Sequence, residues 1–465
     1  MAKVIDLKYF PEYRGLTTDG CSNVVFDINT CKLFEIDDNG FRVLHALSRN
    51  AEKQVDPSEV LGGSEEEVRD AEVKLRGLIE SRVLQVRDTE FIQRREIKDV
   101  AFSYVILNVS HECQLSCKYC FASGGTWGMN NECTMMDFAT AKRSIDLIAR
   151  TRGQNPANIS FFGGEPLLNW RVVKETVEYS DALFMDESGV PQAKYGITTN
   201  GIAMTDEIGA FMAQHRFSVM LSIDGDELLH NSLRPAKNPN VDSFAGVASA
   251  LRILNKHGLR PIARCTMTSE DRNPRRLAQI FCDMGFEEVN IQVVECEQDS
   301  PLHISFPGIL AYEQEIGNFI ANKEDHFCYE ARVYGGRLYA ASTQDLFCGM
   351  GISGVTVAPN GDLYPCHRVV GEETFHMGNV LSGVDTDKAI SFLAQHSVDK
   401  SPHCMDCWAK HICCGGCYAQ NYFVTGNMYV PSPENCHMIK HSLTKTIERI
   451  LVENKEVAAS EVGEN

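Results

Sequence analysis

Three cysteines lie within eight positions in the stretch 111–122, HECQLSCKYCFA, directly behind the apolar run from Ala101 to Val109. Their spacing, Cys113-x3-Cys117-x2-Cys120, constrains the chain more than any other feature. A cubane iron–sulfur cluster normally takes four thiolates. Three in one loop behind a strand would hold three irons and leave one open. An open metal position is where a small molecule is bound and turned over. Two plainer readings compete: three buried apolar cysteines, or a zinc knuckle short of a ligand. Zinc sites favour a CxxC pair with a second pair some way on, and the next cysteine-rich region here lies more than 200 residues away. The spacing favours the cluster.

The surrounding chain supplies a frame for such a loop. From about 96 to 310, strand patterns alternate with helical ones, the mark of a parallel sheet with crossover helices. Strands are expected at 104–109, 159–162, 195–198, 218–223, 262–267 and 289–294. Helices are expected at 137–151, 169–180, 206–215, 243–257 and 274–284. Six strands in series fit a partial (β/α)6 barrel, whose ligands sit at the carboxyl ends of the strands. Three polar motifs fall there: Gly163-Gly164-Glu165-Pro166, Thr198-Thr199-Asn200-Gly201 and Ser222-Ile223-Asp224-Gly225. Each alone is an ordinary turn. Recurring in order behind a cysteine loop, they point to one ligand mouth.

The cysteine pattern with its trailing aromatic, followed by these motifs, resembles the radical S-adenosylmethionine (SAM) enzymes. The resemblance implies a 4Fe–4S cluster on Cys113, Cys117 and Cys120 that reduces bound SAM to methionine and a 5′-deoxyadenosyl radical. It implies that Gly163, Gly164 and Glu165 hold the SAM amino group, and that Thr199, Asn200 and Ser222 line the ribose and carboxylate region. Asp224 and Arg234, in SIDGDELLHNSLRP, would lie near the cofactor. Tyr119 and Phe121 would flank the adenine and the cluster. Arg264, on the next strand, is a partner for the SAM carboxylate by charge-assisted bonding, or a member of an ordinary barrel-mouth ion pair.

A second cysteine array follows. Cys348 and Cys366 bracket a hairpin pattern with its turn at Asn360-Gly361, and Cys404, Cys407, Cys413, Cys417 and Cys436 come after. The array resembles the SPASM domain, which carries two auxiliary 4Fe–4S clusters in peptide-modifying radical SAM enzymes. By that resemblance Cys404, Cys407, Cys413 and Cys436 hold an outer cluster, and Cys348, Cys366 and Cys417 an inner one, for three clusters in all. The chain departs from the fully ligated pattern, because no cysteine stands between 349 and 365. The inner cluster therefore has an open iron, to which a substrate cysteine could bind, unless Cys414 fills it. His367 stands where sulfatase-maturing relatives carry an aspartate base; histidine can serve as a base near neutral pH.

Ahead of the barrel, Asn23 to Ile28 and Lys32 to Ile36 alternate like a hairpin, and Asp37 or Asp38 can cap the helix that follows. Ser64 and Glu67 form a capping box before a second helix, and Val83 to Val86 forms a short strand. This content resembles the winged-helix-like peptide-recognition element at the front of many peptide-modifying enzymes, where a leader peptide adds a strand. A purely structural cap is the alternative. The expected domains are 1–95 for this element, 96–310 for the barrel, 311–345 for a bridge, 346–440 for SPASM and 441–465 for a C-terminal helix and tail.

Composition narrows the partners. A net charge of −19 argues against a nucleic-acid backbone. No apolar run approaches the ~20 residues of a membrane span, and MAKVIDLKYFPEYRG lacks a signal-peptide core. Eighteen cysteines without an export signal point to a reducing cytoplasm. The expected function is thioether crosslinking of a ribosomally made peptide or protein that carries a leader segment. Flavodoxin or ferredoxin would donate electrons. The alternatives are carbon–carbon crosslinking, residue oxidation, or a redox-sensing DNA-binding regulator, which the acidic front domain disfavours.

Overall fold

The computed structural model describes residues 5–6, 23–28, 31–49, 54–55, 57–62, 64–80, 99–129, 133–297, 299–321, 331–340, 346–394, 398, 401–405 and 407–462. The expected strand at 83–86, most of the linker at 88–100, and Cys21 and Cys328 lie outside them. The chain divides into two compact units: residues 1–96, 330–347 and 396–465 form one, and residues 97–329 and 348–395 the other.

In the first unit, β1 (Asn23–Asp27) and β2 (Lys32–Ile36) pair antiparallel, with Val25 opposite Phe34. Helix α1 (Asp38–Arg49) starts at Asp37, whose Oδ1 accepts the Gly40 N–H at 2.8 Å. Helix α2 (Glu65–Glu80) opens on the expected box: Ser64 N–H donates to Glu67 Oε2 at 2.8 Å, and Glu67 N–H to Ser64 Oγ at 3.3 Å. Such a cap is worth about 1 kcal/mol.

The second unit is built on one eight-stranded sheet. Its first half alternates β3 (Tyr104–Ser110), α3 (Phe138–Thr151), β4 (Asn158–Gly163), α4 (Trp170–Leu183), β5 (Lys194–Thr199) and α5 (Asp206–Gln214). Then come β6 (Ser218–Ser222), α6 (Glu227–Leu233), α7 (Ser243–Lys256), β7 (Ile262–Met267), α8 (Pro274–Met284), β8 (Glu288–Val293) and α9 (Phe306–Ala321). The strand order is β8-β7-β6-β5-β4-β3, each parallel to the next, and β9 (Gly354–Val357) adds parallel to the outer side of β3. β10 (Leu363–Tyr364) closes the expected hairpin antiparallel to β9.

Alternation explains the sheet. Val105, Leu107 and Val109 on β3, Ile159 and Phe161 on β4, and Val289 and Ile291 on β8 are buried. The intervening residues, among them Asn108, Ser160, Arg264, Asn290 and Gln292, occupy the opposite face. The helices start where short polar side chains accept a first-turn N–H: Asp137 for α3, Thr205 for α5, Asp226 for α6, Asp242 for α7 and Asn273 for α8. Of these helices only α6 was not expected. Its seven residues are too short for a periodic apolar signal.

Returning to the first unit, α10 (Tyr418–Thr425) and α11 (Pro433–Val462) complete the described chain. Phe26, Ile28 and Cys31 of the hairpin pack in one core with Tyr334, Leu338, Ile412, Cys413, Ile439, Leu443 and Ile447. Among the described residues no helix is long and apolar enough to cross a membrane.

Candidate active site

The cysteine loop leaves β3 and is gripped on two sides. On one side Gly164 N–H donates to Ser110 O and Glu165 N–H to Glu112 O, both at 2.8 Å. Glycine is required for this contact. Gly163 has φ 133°, and a Cβ there would lie 2.1 Å from Ser110 O; one at Gly164 would lie 2.4 Å from Glu112 O. The structure thus places both glycines against the backbone that leads into the cysteine loop. On the other side Ser116 N–H donates to Pro235 O at 2.8 Å and Lys118 N–H to Leu233 O at 3.0 Å. Lys237 N–H closes the ladder on Gln114 O at 2.8 Å.

The three thiols are unbridged. Cys113 Sγ accepts from Leu115 N–H at 3.4 Å and from Asn200 Nδ2 at 3.7 Å, and Cys120 Sγ from Gly124 N–H at 3.3 Å. Burial pushes the Cys113 thiol up to about 11, and Glu165, Cys117 and Cys120 oppose its ionisation further. Thiolates that repel one another in a buried loop are stabilised together when cations bind them. The residues therefore fit an iron–sulfur cluster. Among the described residues no three His, Cys, Asp or Glu side chains converge to hold a single ion.

Tyr119, between the second and third cysteines, turns inward. Its hydroxyl donates to Asp224, and the Arg234 guanidinium lies 5.4 Å from its ring centre. Arg234 Nε reaches Asp224 Oδ2 at 2.8 Å and Nη2 reaches Oδ1 at 3.0 Å, while Thr266 N–H donates to Oδ1 at 3.0 Å. Asp224 is 1% exposed. Burial pushes its carboxyl up, but Arg234, the Thr266 N–H and the Tyr119 hydroxyl together outweigh that and hold it below the ordinary carboxylate range.

Glu165 is as deeply buried. Its carboxylate accepts Thr199 Oγ1 at 2.6 Å, Asn200 N–H at 2.7 Å and Leu167 N–H at 2.9 Å. Burial pushes it up to about 7, against the pull of these three bonds. The loops after β4 and β5 are thereby joined, and Asn200 reaches on to Gln114 Oε1 at 3.3 Å. Ser222 pairs with Arg264 across β6 and β7. Arg264 donates to Cys265 O at 2.6 Å and to Gln292.

An aromatic group covers the mouth. The His367 ring lies 4.7 Å from Phe162 and 5.9 Å from Phe121, with Phe121 and Phe162 stacked at 6.5 Å. Trp127 Nε1 donates to His367 O at 2.8 Å. Burial, helped by Arg368 and Arg264, pushes His367 down to about 3, so its ring is neutral at pH 7. Cys366 Sγ accepts Arg368 N–H at 3.5 Å. The Arg368 guanidinium sits 5.7 Å from Phe121 and binds both oxygens of Glu295. The turn at Cys366–Arg368 and the loop of Cys113–Cys120 therefore meet through Phe121.

In the other unit Cys404, Cys407, Cys413 and Cys436 come together. Burial raises the Cys413 thiol well above its ordinary range, and Cys436, Cys414, Cys407 and Cys404 all oppose its ionisation. Cys414 is buried against Val398 and Cys404. Cys417 belongs to this unit, whereas Cys348 and Cys366 belong to the barrel's.

The family described as the Radical SAM superfamily matches residues 107–293, from within β3 to the end of β8. An uncharacterized protein of Methanocaldococcus jannaschii is 35% identical over 237 residues, 49% of this chain and 78% of its own length. The chain belongs to the radical SAM superfamily. A more distant relative is the radical SAM cyclopropyl synthase TigE of Paramaledivibacter caminithermalis, 22% identical over 381 residues, 74% of this chain and 73% of its own. The radical SAM fold here is similar to native anSMEcpe with bound AdoMet and Cp18Cys peptide. That structure has a TM-score of 0.63 and 17% identity, over 76% of this chain and 99% of the other. Membership implies SAM and a 4Fe–4S cluster as cofactors.

Several site residues escaped sequence reasoning. Trp127, Phe162, Arg368 and Glu295 carry no motif of their own. Trp127, one of three tryptophans, was the strongest available signal, seven residues behind Cys120.

Proposed function

We propose that this radical SAM enzyme is a peptide maturase that forms thioether crosslinks between a cysteine and a carbon of a ribosomally made peptide or protein. A reduced cluster with SAM bound supplies hydrogen-atom abstraction from carbon. Cys113, Cys117 and Cys120 would hold that cluster. Gly163, Gly164, Glu165, Thr199, Asn200, Ser222 and Arg264, at or near the carboxyl ends of the strands, would shape the SAM pocket. Sulfur–carbon bond formation would remove a hydrogen atom from carbon, taken up by the SAM-derived radical, and a proton from the cysteine thiol. The remaining electron would leave to a cluster held by the second cysteine array, for a loss of two hydrogens per crosslink.

The observation that carries the reading is the meeting of the Cys366–Arg368 turn with the first cysteine loop. It sets a residue of the second cysteine array and a neutral imidazole beside the radical-forming loop. In this reading the chain has a SPASM-type region with two auxiliary 4Fe–4S clusters, the inner one on Cys348, Cys366 and Cys417, the outer one on Cys404, Cys407, Cys413 and Cys436. The front hairpin and helices recognise a leader peptide, and a cytoplasmic flavodoxin or ferredoxin supplies electrons. The peptide in the anSMEcpe structure supports a peptide substrate here.

Anaerobic reconstitution with a cysteine-containing precursor peptide tests the proposal. A product lighter by two hydrogens per crosslink, with a thioether by fragmentation, is expected; unchanged peptide from a fully reconstituted enzyme would sink it. The likeness to TigE favours a second reading, carbon–carbon bond formation. That reading predicts the same mass loss with every cysteine still open to alkylation.

A further inference from the structure

Asp224 and Arg234 form a buried pair whose place relative to the cysteine loop is unusually well determined. Ser116 and Lys118 flank Cys117, and their N–H groups donate to Pro235 O and Leu233 O, which flank Arg234. Cys117 and Arg234 therefore stand opposite each other in a short antiparallel ladder, extended by the bridge between Leu115 and Ala236. Arg234 is also tied from behind. Its N–H donates to His230 O at 2.7 Å, and its carbonyl accepts Ser243 Oγ at 2.8 Å. The guanidinium is held by both oxygens of Asp224 and lies against Tyr119, two residues past Cys117.

We propose that Arg234, fixed by Asp224, is a positioning residue that places a permanent positive charge beside Cys117 and sets how readily the cluster on the loop is reduced. A guanidinium keeps its charge at any working pH. Cluster potentials follow local charge, hydrogen bonding and solvent access, and a charge in a buried site is weakly screened. A cation at this place favours the reduced cluster, and the Asp224 carboxylate behind it opposes that effect. The resemblance placed Asp224 and Arg234 near the cofactor; the ladder adds that Arg234 stands opposite Cys117. The inference rests on the loop holding a cluster and is independent of which crosslink the enzyme makes.

The test is an EPR-monitored redox titration of the reconstituted full chain, with iron content measured in parallel. At the wild-type midpoint, Arg234→Gln should lower the ratio of reduced to oxidised cluster about tenfold, equivalent to 59 mV for one electron. Asp224→Asn should raise that ratio, the opposite sign. Arg234→Lys and Tyr119→Phe, which leave the net charge unchanged, should stay within about threefold of wild type. Shifts of the same sign in Arg234→Gln and Asp224→Asn would overturn the proposal. So would an unmoved potential in either variant with its iron intact, or cluster loss in both, which marks a purely structural role. If Arg234→Gln alone loses its cluster, the direction of the Asp224→Asn shift decides. A wild-type chain with no cluster signal would overturn the cluster reading itself and this inference with it.

Discussion

Arg368 binds both carboxylate oxygens of Glu295, and the two residues follow the outermost strands of the sheet, β10 and β8. The pair joins the two edges across the mouth, with its guanidinium against Phe121. Both partners are less than one-third exposed, so the pair should exceed a typical surface ion pair without reaching the value of a buried one. A double-mutant cycle with Glu295→Gln and Arg368→Gln is expected to show a coupling of about 1 kcal/mol in denaturant unfolding. Strictly additive losses would show that the pair does not join the edges energetically.

His367 contributes differently, because its neutral ring packs on Phe162 and Phe121. His367→Ala should cut crosslinked peptide about tenfold while SAM cleavage continues, since the ring stands over the mouth and not in the cysteine loop. His367→Phe keeps the packing and removes the imidazole nitrogens. Recovery of product in that variant would assign His367 to packing; continued loss would assign it to proton transfer or positioning of the substrate. Product mass and 5′-deoxyadenosine, measured together, separate the two.

Gly163 and Gly164 should tolerate no side chain. A Cβ at either site meets a backbone carbonyl at 2.1 or 2.4 Å, and neither carbonyl can swing away without moving the cysteine loop. Gly163→Ala and Gly164→Ala are each expected to lower cluster occupancy, and to destabilise the barrel by about 2–4 kcal/mol. Full iron content with wild-type stability in either variant would contradict the packing account.

Glu165 predicts a pH dependence. Its folded pKa, about 7, lies above its ordinary value of 4.5 because burial penalises the charge. Between those values the unfolded chain has released the proton while the folded one keeps it. Stability contributed by this group therefore falls as pH rises from about 4.5 to 7, and stays low above. The whole effect is roughly 3 kcal/mol at 1.36 kcal/mol per unit. Glu165→Gln, which cannot ionise, should flatten the decline in stability between pH 5 and pH 8, measured by chemical denaturation; an unchanged slope would refute the assignment.

Much of the barrel was legible because its signals are local. The six core strands follow from period-two apolar alternation, and each runs within a residue of where that alternation placed it. Asp137, Thr205, Asp242 and Asn273 cap helices through their own first turns, so the starts are written in adjacent residues. The same holds for Ser64 with Glu67. Helix α6 escaped for the converse reason: its seven residues make barely two turns, and its value lies in what it grips.

By itself the sequence determined the kind of metal chemistry and the order of parts: three cysteines in one loop, polar motifs behind successive strands, and a second cysteine array downstream. Those are statements about neighbours along the chain, where spacing alone decides which thiols and carboxylates share a loop. Only the tertiary structure decided that His367 and Arg368 close over Phe121, that Glu165 is shared by Thr199 and Asn200, and that Arg234 stands opposite Cys117. These pairs lie 34 to more than 200 residues apart, and no local pattern encodes a contact between residues so distant. They form because parallel strands bring their carboxyl ends to one mouth, where burial forces each polar group to find a partner.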